Sequence, residues 1–308
     1  MNWKEKWKFY KSVFIESGNR FGQREAFTYA AGLSYYTIFS LPPMLMVILY
    51  TTTLFYNRDT IRDTIFGEIS EIIGQDSASQ LAATLENIGV FQGNWINSAI
   101  SIAALIFTST TVFLTMQRGL NRMYGVQPKP SSMGIFKMLL DRLTSFALLL
   151  GIAFVMLVSL VLNTIISEFG GYLSEFIPGF SWVVAQTTNL VLPFLIITVL
   201  FMLLFRFLPD VRLYFRDCFR GALLTSLLFA LGRYLISFYI SQSRATDLYD
   251  AAGSVMVIML WVFYASLILI FGGTFTAVYA EKKRGEIKTT PYAIRVEYQR
   301  VEQEDKEQ

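Results

Sequence analysis

The chain has 308 residues, of which 54% are apolar and 16% charged, and its formal net charge is +3. This composition is far from that of a soluble domain and indicates a membrane protein. Without histidine and with a single cysteine, the chain excludes histidine-based zinc centres and catalytic triads in their usual form, and internal disulfides altogether. It also lacks a GxxxxGK[ST] phosphate loop, so we predict no catalytic residue, metal or cofactor.

The N-terminal segment, residues 1–29, is predicted to form an amphipathic helix on the cytoplasmic membrane surface. Trp3, Trp7, Tyr10 and Phe14 recur at intervals of four and three, and lysines fill other positions. Two roles are compatible with this pattern: anchoring and packing, or lipid sensing.

Residues 30–280 contain six windows that are long enough to cross ~30 Å of hydrocarbon and have no Asp, Glu or Lys. We therefore predict an all-α polytopic membrane protein with six transmembrane helices. The predicted spans are 30–56, 96–116, 143–167, 183–205, 221–241 and 253–280.

The first external connection, residues 57–94, shows a helical stripe at Ile61, Ile65, Ile69 and Ile72, and further apolar positions follow after Gly74. This pattern predicts two short amphipathic helices over the outer mouth of the bundle. They would cap the bundle or gate a substrate.

The distribution of Lys and Arg predicts the orientation, since these cations in short loops favour the cytoplasmic side. The N-terminal segment, the second and fourth connections and the tail carry twenty-two of them, and the opposite side carries three. Both termini are therefore predicted to be cytoplasmic. The charged tail, 281–308, is predicted to be disordered in its distal part. The asymmetry reflects topology and gives no support to nucleic-acid binding.

The first predicted span contains adjacent prolines, Pro42 and Pro43, which remove two helical hydrogen bonds. The freed carbonyls need other donors in hydrocarbon, and Tyr35, Tyr36 and Ser40 are close enough in sequence to supply them. We predict a kink that is either architectural or lines a substrate route.

The second predicted span carries hydroxyl groups on one face, at Ser101, Thr108, Thr111 and Thr115. Such a stripe can replace part of the hydration shell of a polar solute, or it can bond across helices. Both readings are compatible with the pattern.

Arg233 is the one ionised side chain inside the predicted spans, where a central cation costs ~2.5–3.5 kcal/mol on insertion scales. It should face protein or water, either paired structurally or snorkelling, or in contact with an anion or headgroup. Tyr249 and Asp250 at the external entrance of the last span complete the candidate polar path. Small residues at Gly272 and Thr276 predict close helix packing, within the monomer or in a homo-oligomer.

Four stretches carry a resemblance to a known family: AAGLSYYTIFSLPPM (30–44), LNRMYGV (120–126), RFLPDVRLYFRDCFRGAL (206–223) and the last span from Leu248. They resemble the YihY/virulence factor BrkB family, at one time mislabelled ribonuclease BN. The chain departs from the family pattern at Asp250, where members often have Gly, and at Thr274, where members often have Glu.

The resemblance implies a multi-pass bacterial inner-membrane protein. We expect a transporter or flippase-like protein for an anionic or amphiphilic cell-envelope component, and not an enzyme. Its expected partners are membrane lipids and an anionic or lipid-like substrate. The alternative is a non-transporting membrane scaffold or envelope-interaction protein. A ribonuclease activity finds no physical support, because the acidic residues are scattered among loops and termini.

Overall fold

The computed structural model describes residues 2–53, 95–129, 191–242 and 245–297, together with the single helical positions 155, 158 and 165. Most of this part of the chain is helical. The helices are α1 Trp3–Gln23, α2 Ala26–Thr53, α3 Trp95–Tyr124, α4 Leu192–Phe207, α5 Phe215–Gln242 and α6 Ala245–Arg284, and the strands are β1 Val126–Pro128 and β2 Ala293–Arg295.

Helix α1 confirms the predicted N-terminal helix. At its start the carboxylate of Glu5 accepts a hydrogen bond of 2.9 Å from the backbone N–H of Asn2, as in a capping box. At its end the chain turns sharply at Glu25, whose φ of 61° lies in the left-handed region that few side chains adopt. Helices α1 and α2 are therefore separated by a tight turn at residues 24–25, called the corner below.

The predicted spans 183–205 and 253–280 each overlap an apolar helix of the structure. Within the described residues, Met259–Arg284 is the one segment long and apolar enough to cross a membrane, and Leu192–Phe207 is a shorter apolar helix. Helices α2, α3 and α5 have 28, 30 and 28 residues, and at ~1.5 Å per residue each exceeds the ~30 Å of a hydrocarbon core. The count of six transmembrane helices stays a prediction.

Several predictions fall on parts of the chain outside the described residues. The external connection 57–94 lies there, as do the tail from residue 298 and, apart from positions 155, 158 and 165, the third predicted span. Helix α2 contains both Pro42 and Pro43 and continues to Thr53, so the helix is not interrupted at the prolines. The predicted kink itself stays a prediction.

The outer face of α5 is apolar although it is exposed. Leu223, Leu227, Leu231 and Leu235 follow one another at intervals of four residues, and each is between 44% and 60% exposed. Soluble monomers rarely expose a contiguous apolar surface of this kind. This face is suited to contact with lipid acyl chains.

Helices α5 and α6 are in close contact along their inner faces. A Cβ on Gly221 would collide with Thr276, and a Cβ on Gly272 would collide with Thr225. Farther along, the hydroxyl of Tyr264 donates to the carbonyl of Leu228 over 3.0 Å. The predicted role of the small residues of the last span in helix packing is confirmed within the chain.

Four segments that the sequence assigns to one side of the membrane meet at one end of the bundle. We call this the basic end: the corner between α1 and α2, residues 121–129, residues 206–217, and residues 281–297. Strand β1 pairs antiparallel with β2, with Val126 opposite Arg295 and Pro128 opposite Ala293. The start of the tail is thus part of the fold, which the sequence analysis did not predict.

Candidate functional site

The basic end contains a cavity of about 630 Å³ between the fourth connection, the first turn of α5 and the start of the tail. Four cationic and two acidic side chains contribute to its wall. The charged lining residues are Arg206, Arg212, Arg284, Lys288, Asp217 and Glu286.

Arg206 comes from the last turn of α4 and is held in place by its neighbours. Its Nη1 donates to the carbonyl oxygen of Leu213, and its guanidinium lies 5.1 Å from the ring centroid of Phe215. Its Nε is buried and has no hydrogen-bond partner within the described part of the chain. A buried N–H of a cation without a partner is costly.

Asp217 balances one of the cations. This carboxylate lies in the first turn of α5, is fully buried, and accepts a hydrogen bond of 2.7 Å from Nε of Arg284. Its other oxygen is 3.6 Å from Nη1 of Arg220, too far for a hydrogen bond. The guanidinium of Arg284 also lies 4.1 Å from the ring centroid of Tyr214, in a cation–π contact.

The second acid of the cavity, Glu286, is engaged by a cation from outside it, since Arg295 approaches it to 3.1 Å. Three cations of the wall, Arg206, Arg212 and Lys288, therefore have no carboxylate partner among the described residues. The cavity is electropositive, as required for binding an anion.

The cavity is framed by hydrogen bonds between distant parts of the chain. The backbone N–H of Arg212 donates to the carbonyl of Lys288 over 2.9 Å, so the fourth connection and the tail are joined. Asn121 at the end of α3 donates to the carboxylate of Asp210 over 2.8 Å and accepts from its backbone N–H over 2.8 Å. This pair fixes the fourth connection to α3.

A second, smaller cavity of about 260 Å³ lies between Arg24, Glu281 and Arg295. Its acid is already paired, because Glu281 accepts hydrogen bonds from Arg20 over 2.7 Å and from Arg295 over 3.2 Å. Arg24 donates to two carbonyls at the end of α3, over 3.0 and 2.7 Å. These contacts join α1, α3, α6 and the tail. The charged groups around this cavity therefore have a structural role.

The predicted polar path is only partly described. Tyr35 and Tyr36 are exposed on α2. Ser40 donates to the carbonyl of Thr37 over 2.6 Å. The side chains that lie outside the described part, although their backbone is helical, are those of Arg233, Pro42, Pro43, Ser101, Tyr249 and Asp250.

The threonine hydroxyls of α3 bond to their own helix. Thr108, Thr111 and Thr115 donate to the carbonyls four residues earlier, over 2.9, 2.9 and 2.8 Å. The one hydroxyl hydrogen of each threonine is therefore donated to backbone.

The basic cavity is the feature that sequence reasoning missed. In the sequence its arginines indicate only orientation, and the stretch 206–223 carries only the family resemblance. Within the described residues no group of three or more Cys, Asp or Glu side chains is arranged to hold a metal ion.

Comparison with known proteins identifies the family. The sequence model of the family described as virulence factor BrkB matches residues 18–295. A Bacillus subtilis protein, YfkH, whose name describes it as ribonuclease-like, is 26% identical over 90% of this chain and 96% of its own length. A UPF0761 membrane protein of Psychromonas ingrahamii is 24% identical over 82% of each chain, and one of Pseudoalteromonas atlantica is 24% identical over 87% of this chain and 86% of its own. No solved structure matches the chain. The chain belongs to the BrkB family and is a membrane protein of that family.

Proposed function

We propose that this protein is a transporter or flippase-like protein of the bacterial inner membrane, with cytoplasmic termini, and that its substrate is an anionic or amphiphilic cell-envelope component. The observation that carries the proposal is the electropositive cavity of about 630 Å³ at the basic end. Three of its cations, Arg206, Arg212 and Lys288, have no carboxylate partner in the part of the chain that the structure describes, and they are suited to a phosphate or carboxylate group.

The surroundings of the cavity suit an amphiphile. Phe207 and Phe215 lie beside it, each about half exposed, with ring centroids 6.2 Å apart. Phe219 and Leu223 continue this exposed apolar face along α5. A substrate could place its anionic group on the cations while its apolar part lies against these side chains.

The predicted polar path supplies the rest of the route in this proposal. Arg233 lies about five helical turns beyond the first residue of α5, on the helix that begins at the cavity. The side chains of Tyr35, Tyr36 and Ser40 on α2, and the hydroxyl face of α3, would line the way through the bundle. We assign the exit to the region of Tyr249 and Asp250.

The test uses full-length protein in vesicles. Two fluorescent lipids, an anionic phosphatidylglycerol and a zwitterionic phosphatidylcholine, are followed by dithionite bleaching, and inorganic phosphate uptake is measured in parallel. The expected result is accelerated movement of an anionic probe over protein-free vesicles. It should be reduced by R212Q combined with K288Q.

R216Q is the matched control, because Arg216 lies close by in the first turn of α5 and does not line the cavity. It should leave the rate unchanged. Movement at the protein-free rate for every probe would overturn the transport proposal. A non-transporting scaffold would give that result and would retain a protein partner during purification.

A further inference from the structure

Helix α1 has an aromatic face that the described part of the chain covers only in part. Trp3, Trp7, Tyr10, Phe14 and Phe21 fall within a sector of roughly 60° when successive residues are placed about 100° apart. Trp3 is 80% exposed, and Trp7, Tyr10 and Phe14 are exposed by 43% to 61%. Exposure of such a face to water would be unfavourable, since moving one aromatic ring out of water is favourable by about 1.5–3 kcal/mol of free energy.

The orientation of α1 is fixed by a different face. Val13 and Ser17 are completely buried against the bundle, and the ring of Phe9 packs edge-on against Tyr279 of α6 at 5.6 Å. The helix therefore has a protein-facing side and cannot rotate to hide its aromatic side without losing these contacts.

Ion pairs reinforce this docking. Lys282 approaches Glu16 to 2.8 Å, and Arg20 approaches Glu281 to 2.7 Å. The hydrogen bond from Lys282 lowers the pKa of the Glu16 carboxyl below its ordinary value. Both pairs join α1 to the last turns of α6.

The aromatic face continues onto the surface of the bundle. The ring of Phe21 lies 5.5 Å from Phe27 of α2 and 5.6 Å from Phe271 of α6, and Phe14 lies 5.5 Å from Phe271. Phe271 belongs to Met259–Arg284, the segment long and apolar enough to cross a membrane. The same apolar surroundings must therefore meet both the span and the aromatic face of α1.

A row of lysines flanks the aromatic face on the side away from the bundle. Lys4, Lys8 and Lys11 point roughly 100° from the aromatic direction, and all three are exposed. Nζ of Lys11 lies 5.4 Å from the ring centroid of Trp7, so the two faces meet. Aromatic rings beside a row of cations match the boundary between acyl chains and anionic headgroups.

We propose that α1 is an interfacial helix that binds the anionic lipids of the leaflet at the basic end. The aromatic face enters the boundary between headgroups and acyl chains, and Lys4, Lys8 and Lys11 select anionic headgroups. The proposal is independent of transport, because none of these residues lines the basic cavity.

Tryptophan quenching tests the proposal on the full-length protein. Replacing Trp95, Trp182 and Trp261 by Phe leaves Trp3 and Trp7 as the only tryptophans. In vesicles of phosphatidylcholine containing phosphatidylglycerol with brominated chains, we expect strong quenching, with phosphatidylglycerol enriched around these rings. Absence of quenching would overturn the proposal, whether water or a second copy of the chain covers the face.

Charge variants test the selection of anionic lipid. K4Q/K8Q/K11Q should weaken the preference for brominated phosphatidylglycerol over brominated phosphatidylcholine, by roughly fivefold for each lysine. The matched variant K4R/K8R/K11R keeps the charge and should behave like the parent, and R212Q/K288Q should also have no effect. An unchanged preference in the glutamine variant would contradict the role of the lysines.

A spin label provides a second measurement if the tryptophan variant does not fold. Cys218 is replaced by Ser, and a label is placed at position 14 or at position 8. At position 14 collisions with oxygen should exceed those with a water-soluble nickel complex, and at position 8 the order should reverse. Nickel access at position 14, or shielding from both reagents there, would overturn the proposal.

Discussion

Thr225 of α5 lies so close to Gly272 of α6 that a methyl group on Gly272 would meet the threonine hydroxyl. The relationship is reciprocal, since Thr276 of α6 lies in the same way against Gly221 of α5. Each hydroxyl donates to the carbonyl of the glycine four residues earlier in its own helix, over 2.6 Å from Thr225 and 2.8 Å from Thr276. The two helices can approach closely because two glycines make room for two threonines.

This contact predicts a strong coupling between two substitutions. Gly272→Ala should destabilise the protein by about 2 kcal/mol or more, because the new methyl overpacks the contact. Thr225→Ala removes the hydroxyl that blocks it, so the double variant should recover at least about 1 kcal/mol of that loss. Thermal unfolding followed by fluorescence-detected size exclusion measures both.

Gly18→Ala is the control for the glycine series, since nothing lies within 4 Å of the added Cβ on α1. It should be neutral or slightly stabilising. Additive losses in the double variant, or a Gly272→Ala protein as stable as the parent, would contradict the packing argument.

The rows of small residues in the last span could be predicted from the sequence because helical periodicity places them on one face. Their partners could not, since α5 presents Gly221 and Thr225 only once the two helices are paired. The basic cavity is even less predictable from the sequence. Arg206, Arg212 and Lys288 are separated by up to 82 residues and come together through loop hydrogen bonds, which periodicity does not describe.

The two family motifs around residues 120 and 210 have a shared physical basis in the pair Asn121 and Asp210. Asn121 is buried, and its amide both donates to the carboxylate of Asp210 and accepts from its backbone N–H. Gln117 adds a longer hydrogen bond of 3.4 Å to the same carboxylate. The motifs therefore belong to one tie between α3 and the fourth connection.

Exchange of these two residues tests the tie. Asn121→Ala should cost about 1–3 kcal/mol, because it removes the acceptor of the backbone N–H of Asp210 and one donor to its carboxylate. Asn121→Asp should be worse, since it places two carboxylates side by side. The double exchange N121D/D210N restores one amide and one carboxylate and should recover most of the stability.

Unfolding midpoints of the three variants against the parent are the measurement. Recovery in the exchanged variant would show that the interaction itself matters, since both positions are then occupied by foreign residues. If N121D/D210N were less stable than N121D alone, the tie would not stabilise the fold as described.

Cys218 predicts a specific pH dependence. It is completely buried at the start of α5, outside the predicted span, and burial raises the pKa of its thiol from 9.0 to about 12. Between these values the folded protein keeps a proton that the unfolded chain loses. Its contribution to stability is therefore present below pH 9.0 and lost as the pH rises toward 12.

Two measurements check this expectation. Maleimide labelling of the folded protein should stay slow up to pH 9.0, the ordinary thiol value, and become fast only after unfolding. Cys218→Ala should flatten the loss of stability in the alkaline range. Rapid labelling of folded protein near neutral pH would contradict a buried, neutral thiol.

The ion pair between Asp217 and Arg284 predicts how stability responds when a buried charge loses its partner. Asp217 is completely inaccessible, so Arg284→Ala should lower the unfolding midpoint clearly, because among the described residues this carboxylate then keeps only the distant Arg220. Asp217→Asn combined with Arg284→Ala removes the uncompensated charge and should be more stable than Arg284→Ala alone. Glu286→Gln breaks an exposed pair and should have almost no effect, because exposed ion pairs contribute little. Equal midpoints for Arg284→Ala and Glu286→Gln would show that the burial of Asp217 does not make this pair special.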